Sequence, residues 1–178
     1  MINMKILLHI CCGVCAAGVA RQLTEEGHDV TGFFYNPNIY PEEEYKRRFD
    51  VARDVAGRIG FKLEEGANDY TEWQGVVRGL EGESEGGKRC AVCFRMRLEE
   101  TYKHFLVGAF DAFTTTLTIS PMKNADLINT IGQDIAGEKF LQANFKKKEG
   151  FKKTMALARE WNLYRQSYCG CEYSINSV

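Results

Sequence analysis

The sequence predicts an α/β domain with three layers, helices packed on both faces of a mostly parallel sheet. Short apolar runs alternate with segments of helical periodicity along the chain. The first strand, helix and strand fit within about 35 residues, the spacing of a βαβ unit and hence of parallel neighbours. With 178 residues of which 44% are hydrophobic, the chain can bury one substantial core and is too short for two ordinary ones. A single domain over residues 1–178 is therefore expected.

The first strand is MKILLHI (4–10), and AAGVARQLTEEG (16–27) follows with apolar residues at helical spacing and a glycine stop. DVTGFFY (29–35) is the second strand. NPNIYP (36–41) breaks it, and EEEYKRRFDVARDVAGRIG (42–60) is a charged amphipathic helix that ends in glycine before a third strand at FKLEE. The glycine-rich GLEGESEGG (79–87) is a loop. KRCAVCFRMRLEETYKHF (88–105) is a helix that carries Cys90 and Cys93 on one face of its first turns. AFTTTL (112–117), rich in β-branched residues, is the fourth strand. ISPMKN interrupts the chain before the helix ADLINTIGQDIAG (125–137), and TMALAREWN (154–162) forms a last short helix. YRQSYCGCEYSINSV closes the sequence as a loop-like tail. In open parallel sheets ligands sit outside the carboxyl ends of the strands, where Cys11, Cys12 and Cys15 fall.

Several classes are excluded by composition. Residues 1–10 do not form a signal peptide, since Lys5 interrupts the apolar run and no small-residue cleavage site follows. No stretch approaches the ~18 consecutive apolar residues of a membrane span. A cytoplasmic protein without membrane contact is expected. The net charge of −1 says little about partners, but KFLQANFKKKEGFKK (139–153) holds six lysines against one glutamate.

Seven cysteines, an odd number in a chain with no export signal, argue against a disulfide framework and for metal or redox chemistry. They form three groups, CCxxC, CxxC and CxC, which only the fold can bring together. Thiolates are soft ligands suited to iron–sulfur clusters, zinc or copper(I). Adjacent cysteines fit a compact zinc knuckle poorly, whereas separate iron corners let neighbouring side chains diverge, so the spacing favours a cluster over zinc. The first group stands where a phosphate-binding protein would place a glycine-rich loop, at a helix N-terminus that also favours thiolates.

HICCGVC, FYNPNIYPEEEYKRR, RCAVCFRMRLE, FTTTLTISPMKN and FKKKEGFKKTMALAREWNLYRQSYCGCEYS together resemble the QueH family of epoxyqueuosine reductases, in order from about residue 5 to 174. Val14 stands where the family often has a proline. The resemblance implies an adenine-nucleotide-hydrolase-like, Rossmann-like fold, a [4Fe-4S] cluster, and reduction of epoxyqueuosine to queuosine in tRNA. By position it makes Cys11, Cys12, Cys90 and Cys93 the cluster ligands and Cys169 and Cys171 redox-active. Cys15 matches the motif without an assigned role.

Epoxide deoxygenation takes two electrons and two protons, and a [4Fe-4S] cluster usually passes one electron at a time. Either Cys169 and Cys171 supply a dithiol, or spare thiols hold a second iron or other metal as Lewis acid. Both remain open. An electron donor is required and unidentified. Proton-donor candidates are Tyr35, Tyr164, Tyr168 and His9, although His9, ending an apolar strand, reads first as a core residue.

The anticodon substrate is single-stranded, with bases that can be splayed out and stacked. Lys146, Lys147, Lys148, Lys152 and Lys153, interleaved with Phe145 and Phe151, suit a phosphate-gripping segment, which Lys46, Arg47 and Arg48 would extend. Two rival readings are an ATP-dependent tRNA-modifying enzyme of the same fold and a non-enzymatic, zinc-stabilised RNA-binding module. The first needs a glycine- and serine-rich pyrophosphate loop where this chain has cysteines. The second needs a metal without visible absorbance.

Overall fold

The computed structural model describes residues 3–175. Four parallel strands form one sheet in the order β3-β2-β1-β4: β1 (Lys5–His9), β2 (Asp29–Phe34), β3 (Lys62–Glu65) and β4 (Ala112–Thr115). β1 is central, with Leu8 paired to Gly32 on one side and to Thr114 on the other. Its neighbours on the two sides are reached in opposite directions along the sheet, so the order switches at the carboxyl end of β1, where such sheets open a crevice.

Alternation along the strands divides the core. Ile6, Leu8, Val30 and Phe34 enter a cluster with α1 (Gly13–Glu25), α2 (Glu42–Ile59) and α6 (Gly150–Glu160). Leu7, Phe33 and Phe113 enter a second cluster with α3 (Tyr70–Val76), α4 (Lys88–Val107) and α5 (Ala125–Ala136). This is the three-layer α/β arrangement that the alternation of apolar runs with helical segments predicts. Leu7 and Leu8 are fully buried on opposite faces, each contributing roughly 1.5–3 kcal/mol.

The helix ends follow local chemistry. α2 begins with Glu42, Glu43 and Glu44, which complement the positive end of the helix dipole, and stops at Gly60 in the left-handed region (φ 88°). Asn124 caps α5 by accepting from the amides of Asp126 and Leu127. α1 begins at Gly13 rather than at residue 16, because its cap is a cysteine: Cys12 Sγ accepts the Cys15 amide at 3.4 Å. α6 starts at Gly150, so Lys152 and Lys153 lie on a helix. α3, capped by the Asp69 carboxylate, lies in a stretch where no element was expected; it is only seven residues long and buries Trp73. Phe140, in the lysine-rich segment, forms a parallel bridge to Phe113. Of the closing tail, residues 176–178 lie outside the described region. Among the described residues no helix is long and apolar enough to cross a membrane.

Candidate metal centre

The carboxyl end of β1 is fixed from both flanks. The Ile10 amide donates to Phe33 O, and Asn36 Nδ2 donates to Ile10 O, each at 2.8 Å. One residue on, the Cys11 amide donates to Thr116 Oγ1 at 2.9 Å, from the 3-10 turn Thr116–Ile119 that follows β4. The chain then turns into α1, with Cys12 as its cap and Cys15 in its first turn. Cys11 and Cys12 Sγ lie 4.0 Å apart, and the three sulfurs of Cys11, Cys12 and Cys15 all lie within 4.8 Å of one another. None of the seven cysteines is in a disulfide.

Three thiols this close, Cys12 buried and Cys11 and Cys15 half-buried, cannot all ionise, and Cys11 takes the charge. Hydrogen bonds from Cys12 and Cys15 hold its pKa well below the thiol range, against the cost of burial, and Lys123 and Arg97 add to the effect. The same interaction pushes Cys12 up to about 11 and raises Cys15 well above the ordinary thiol value. Thr116 Oγ1 donates to Cys11 Sγ at 3.2 Å, a further stabilisation of sulfur charge.

Cys90 and Cys93 enter from the opposite helical layer, in the first turns of α4. Both are buried in the apolar cluster that also contains Cys171 and packs against Cys11. Burial raises both thiols, Cys93 to about 11, with the Gly86 amide opposing at Cys90 (3.2 Å) and Arg97 opposing at Cys93. Trp73 is fully buried, its Nε1 has no oxygen or nitrogen partner, and its N–H is placed to favour charge on Cys93. The preceding loop is held by Arg89, whose Nη1 donates to the carbonyls of Leu80 (3.2 Å), Glu81 (2.9 Å) and Glu83.

The CxC pair arrives on the closing segment. Arg48, 2% exposed, donates through Nη1 to Cys169 O at 2.9 Å and through Nη2 to Tyr168 O at 3.1 Å, while Nε pairs with Glu44 at 2.7 Å. Tyr164 OH donates to the other Glu44 oxygen at 2.9 Å. Gly170 sits between the two cysteines at φ 131°, and an added Cβ would meet Arg48 Nη1 at 3.1 Å and Asn38 Nδ2 at 3.2 Å, so only glycine fits the crossing. Cys171 is buried beside Ser174, and both cysteines lie close enough to Cys90 to raise its pKa.

Lys123 joins the groups. Burial opposes its charge, but Cys169, Cys11 and Cys15 overcome that and hold its pKa above the ordinary lysine value. Arg97, 2% exposed and bonded to Asn36 Oδ1, acts on both Cys11 and Cys93. The donor set is thus all sulfur, largely buried, and faced by two cations and the Trp73 indole N–H, which suits a soft metal centre carrying net negative charge on its thiolates. Cys11, Cys12 and Cys15 form the group that can hold a metal ion among the described residues; Cys90 and Cys93 face it across the same apolar cluster.

Other candidates fall elsewhere. His9 is a core residue: fully buried, it donates from Nε2 to Tyr35 O (3.1 Å) and pairs through Nδ1 with Thr115 Oγ1 (2.8 Å). Burial, then Arg97, lowers its pKa to about 3, so the ring is neutral at pH 7 and is no general acid. Tyr164 and Tyr168 donate to Glu44 and to Tyr40 O, and burial raises Tyr35. Arg48 is inside the fold rather than on a basic face. Lys146 donates to Ser120 O (3.2 Å) and Lys123 O (2.6 Å), bracing the loop that carries Lys123. Lys152 pairs with Glu149 at 3.0 Å. Lys147, Lys148 and Lys153 line a cavity of about 770 Å3 between α1 and α6, which also contains Glu25 and Glu160 and no cysteine. Phe145 is 5% exposed and belongs to the core, so it offers no ring for stacking.

Sequence reasoning missed Thr116, Arg97, Lys123 and Trp73, and read the buried Arg48 as part of a phosphate-gripping face. Only their neighbours gave a signal: FTTTL and SPMKN adjoin a strand end, and Arg48 and Arg97 are single charges on helices that also carry exposed ones.

Comparison with known proteins adds the family. The family described as Epoxyqueuosine reductase QueH matches residues 6–177. A protein of that name from Streptococcus pyogenes serotype M1 is 38% identical, covering 97% of this chain and 71% of its own. Another, from Thermotoga maritima, is 34% identical over 96% and 90%. Among solved structures, the U34-tRNA thiolase NcsA from Methanococcus maripaludis with its [4Fe-4S] cluster superposes with a TM-score of 0.56 at 15% identity, covering 99% of this chain and 63% of that one. A predicted subunit of tRNA methyltransferase from Methanocaldococcus jannaschii gives 0.59, also at 15% identity, covering 88% and 74%. These likenesses show a shared α/β fold and nothing beyond it.

Proposed function

The chain belongs to the epoxyqueuosine reductase QueH family, and we propose that it reduces epoxyqueuosine to queuosine at the wobble position of tRNA. The reading is supported by one observation: Cys11, Cys12 and Cys15 cluster at the switch point of the sheet, and Cys11 packs against the apolar cluster that contains Cys90, Cys93 and Cys171, with Arg97 and Lys123 acting on these thiols.

The proposed ligands of a [4Fe-4S] cluster are Cys11, Cys12, Cys90 and Cys93. The all-thiol donor set supports this, and when bound the cluster supplies electrons singly to the pocket. Cys169 and Cys171 are the proposed redox-active pair, or ligands of a second iron, and the extra sulfur of Cys15 is available to either arrangement. The reaction takes two electrons and two protons, converts the epoxide to an alkene and releases its oxygen as water. Electrons come from an external donor. The chain excludes water with Trp73, Phe94 and Leu117, and Lys123 offers positive charge beside the thiols. Lys147, Lys148 and Lys153 are proposed to contact tRNA phosphates; Lys146 and Lys152 are engaged within the protein. A cytoplasmic location fits a tRNA substrate.

An ATP-dependent reading is disfavoured because thiols fill the loop after β1, where a nucleotide would need backbone amides. Incubating anaerobically purified protein with epoxyqueuosine-containing tRNA and a chemical reductant, then digesting to nucleosides, tests the proposal. Queuosine is the expected product, and its absence with metal-loaded protein would overturn the assignment.

A further inference from the structure

The sequence pointed to the lysine-rich segment for base stacking, yet of its two rings Phe145 is buried and Phe151 half-buried. An open aromatic ring stands instead beside the CxC pair. Tyr40 is 43% exposed, and its backbone is pinned on both sides: its amide donates to Gly170 O at 2.9 Å, and its carbonyl accepts Tyr168 OH. One face of the ring is backed by Tyr70, with centroids 5.3 Å apart and planes 30° apart. Tyr70 in turn stacks on Trp73 at 5.5 Å, the residue beside Cys93. A ring that is rigidly held, supported from behind and open in front, hydrogen-bonded through its main chain to the residue between Cys169 and Cys171, presents a stacking surface at the edge of the thiol pocket.

Positive charge follows on the helix that begins after Tyr40 and on the closing segment. Arg47, exposed on α2 one residue from Arg48, stacks its guanidinium over Tyr164 at 4.4 Å. Arg165 follows Tyr164 and is exposed. Neither arginine has a carboxylate partner among the described residues. An aromatic plane with unpaired arginines nearby is the combination that holds single-stranded RNA, by stacking and phosphate contact.

Resting on the reductase reading, we propose that Tyr40 is the stacking platform for an anticodon-loop base, with Arg47 contacting a phosphate of the same loop. The base adjoining the modified nucleotide seats on the open face of Tyr40, which delivers its neighbour toward Cys169 and Cys171.

The test uses metal-loaded full-length protein and a synthetic anticodon stem-loop RNA lacking the modification, with binding measured at fixed salt. Tyr40→Ala is expected to weaken binding on the order of ten-fold or more, whereas Tyr40→Phe retains it. A blunt duplex of the same stem is expected to bind wild type and Tyr40→Ala alike. Tyr40→Trp supplies a fluorophore whose emission is quenched when a base stacks on it. Arg47→Ala, an exposed change that does not threaten folding, is expected to lower the salt slope by about one. Visible absorbance of each variant reports whether the metal site is intact. Tyr40→Ala binding the stem-loop like wild type, or a Tyr40→Trp signal unmoved by RNA, would overturn the proposal. The enzymatic reading fails separately: wild type that binds the stem-loop through Tyr40 but never forms queuosine from the modified tRNA would remove the reaction and leave the platform.

Discussion

Arg48 Nη1 donates to the carbonyl oxygen of Cys169 at 2.9 Å, joining residues 121 positions apart. The arginine is buried inside α2, and its three nitrogens serve Glu44, Tyr168 and Cys169, so the CxC pair is seated through its main chain while its sulfurs stay available.

Arg48→Ala leaves Glu44 as a buried, uncompensated carboxylate and frees two carbonyls. A loss of about 3–5 kcal/mol in unfolding free energy is expected from denaturant titration. Arg48→Lys keeps the charge but cannot span both carbonyls and Glu44, and is expected to fall between. In both variants Cys169 should alkylate faster in the metal-free protein than it does in wild type.

Thr116 accepts the Cys11 amide and donates to Cys11 Sγ. Thr116→Val keeps the shape and removes both bonds. Metal affinity, measured by competition with a chelator, is expected to drop about 10–100-fold, the usual cost of losing a partner behind a ligand. Unchanged affinity would mean that the hydroxyl orients only the backbone.

His9 ties folding to pH. Burial, then Arg97, places its folded-state pKa at about 3, below the unfolded value of about 6.5. The fold therefore selects the neutral ring. Its contribution is fully present above about pH 6.5 and is lost progressively as pH falls from there toward 3. His9→Gln can make both hydrogen bonds without titrating. The stability difference between wild type and this variant should shift toward the variant as pH drops from 6.5 to 4, and a difference constant over that range would contradict the assignment.

Much of this was legible in the chain. MKILLHI, DVTGFFY and AFTTTL supply β1 and its two hydrogen-bonded neighbours because buried parallel strands are nearly continuous apolar runs. The cysteines were legible as ligands by type, and their placement at the end of β1 by topology. α3 was not, since seven residues give too few turns for periodicity. Arg48 and Arg97 were not, because charge on a helix reads as solvent-facing until the fold shows what lies behind it. Lys146 was misleading for the converse reason: the lysines that follow it are exposed, and only the Ser120 and Lys123 carbonyls turn it inward.

Lys147, Lys148 and Lys153 line one cleft, so their joint replacement by alanine should reduce tRNA affinity and flatten its dependence on salt, by about one unit of slope for each phosphate no longer gripped. A slope equal to that of wild type would place the RNA elsewhere on the surface.

The most direct measurement is iron, acid-labile sulfide and visible absorbance on anaerobically purified wild type and on single alanine variants at Cys11, Cys12, Cys90 and Cys93. If sulfurs from the two helical layers hold one cluster, wild type carries iron and sulfide in equal amounts with broad visible absorbance, and each variant loses most of both. Full iron and sulfide retained when Cys90 or Cys93 is replaced, or zinc with no visible absorbance in wild type, would contradict a shared iron–sulfur centre.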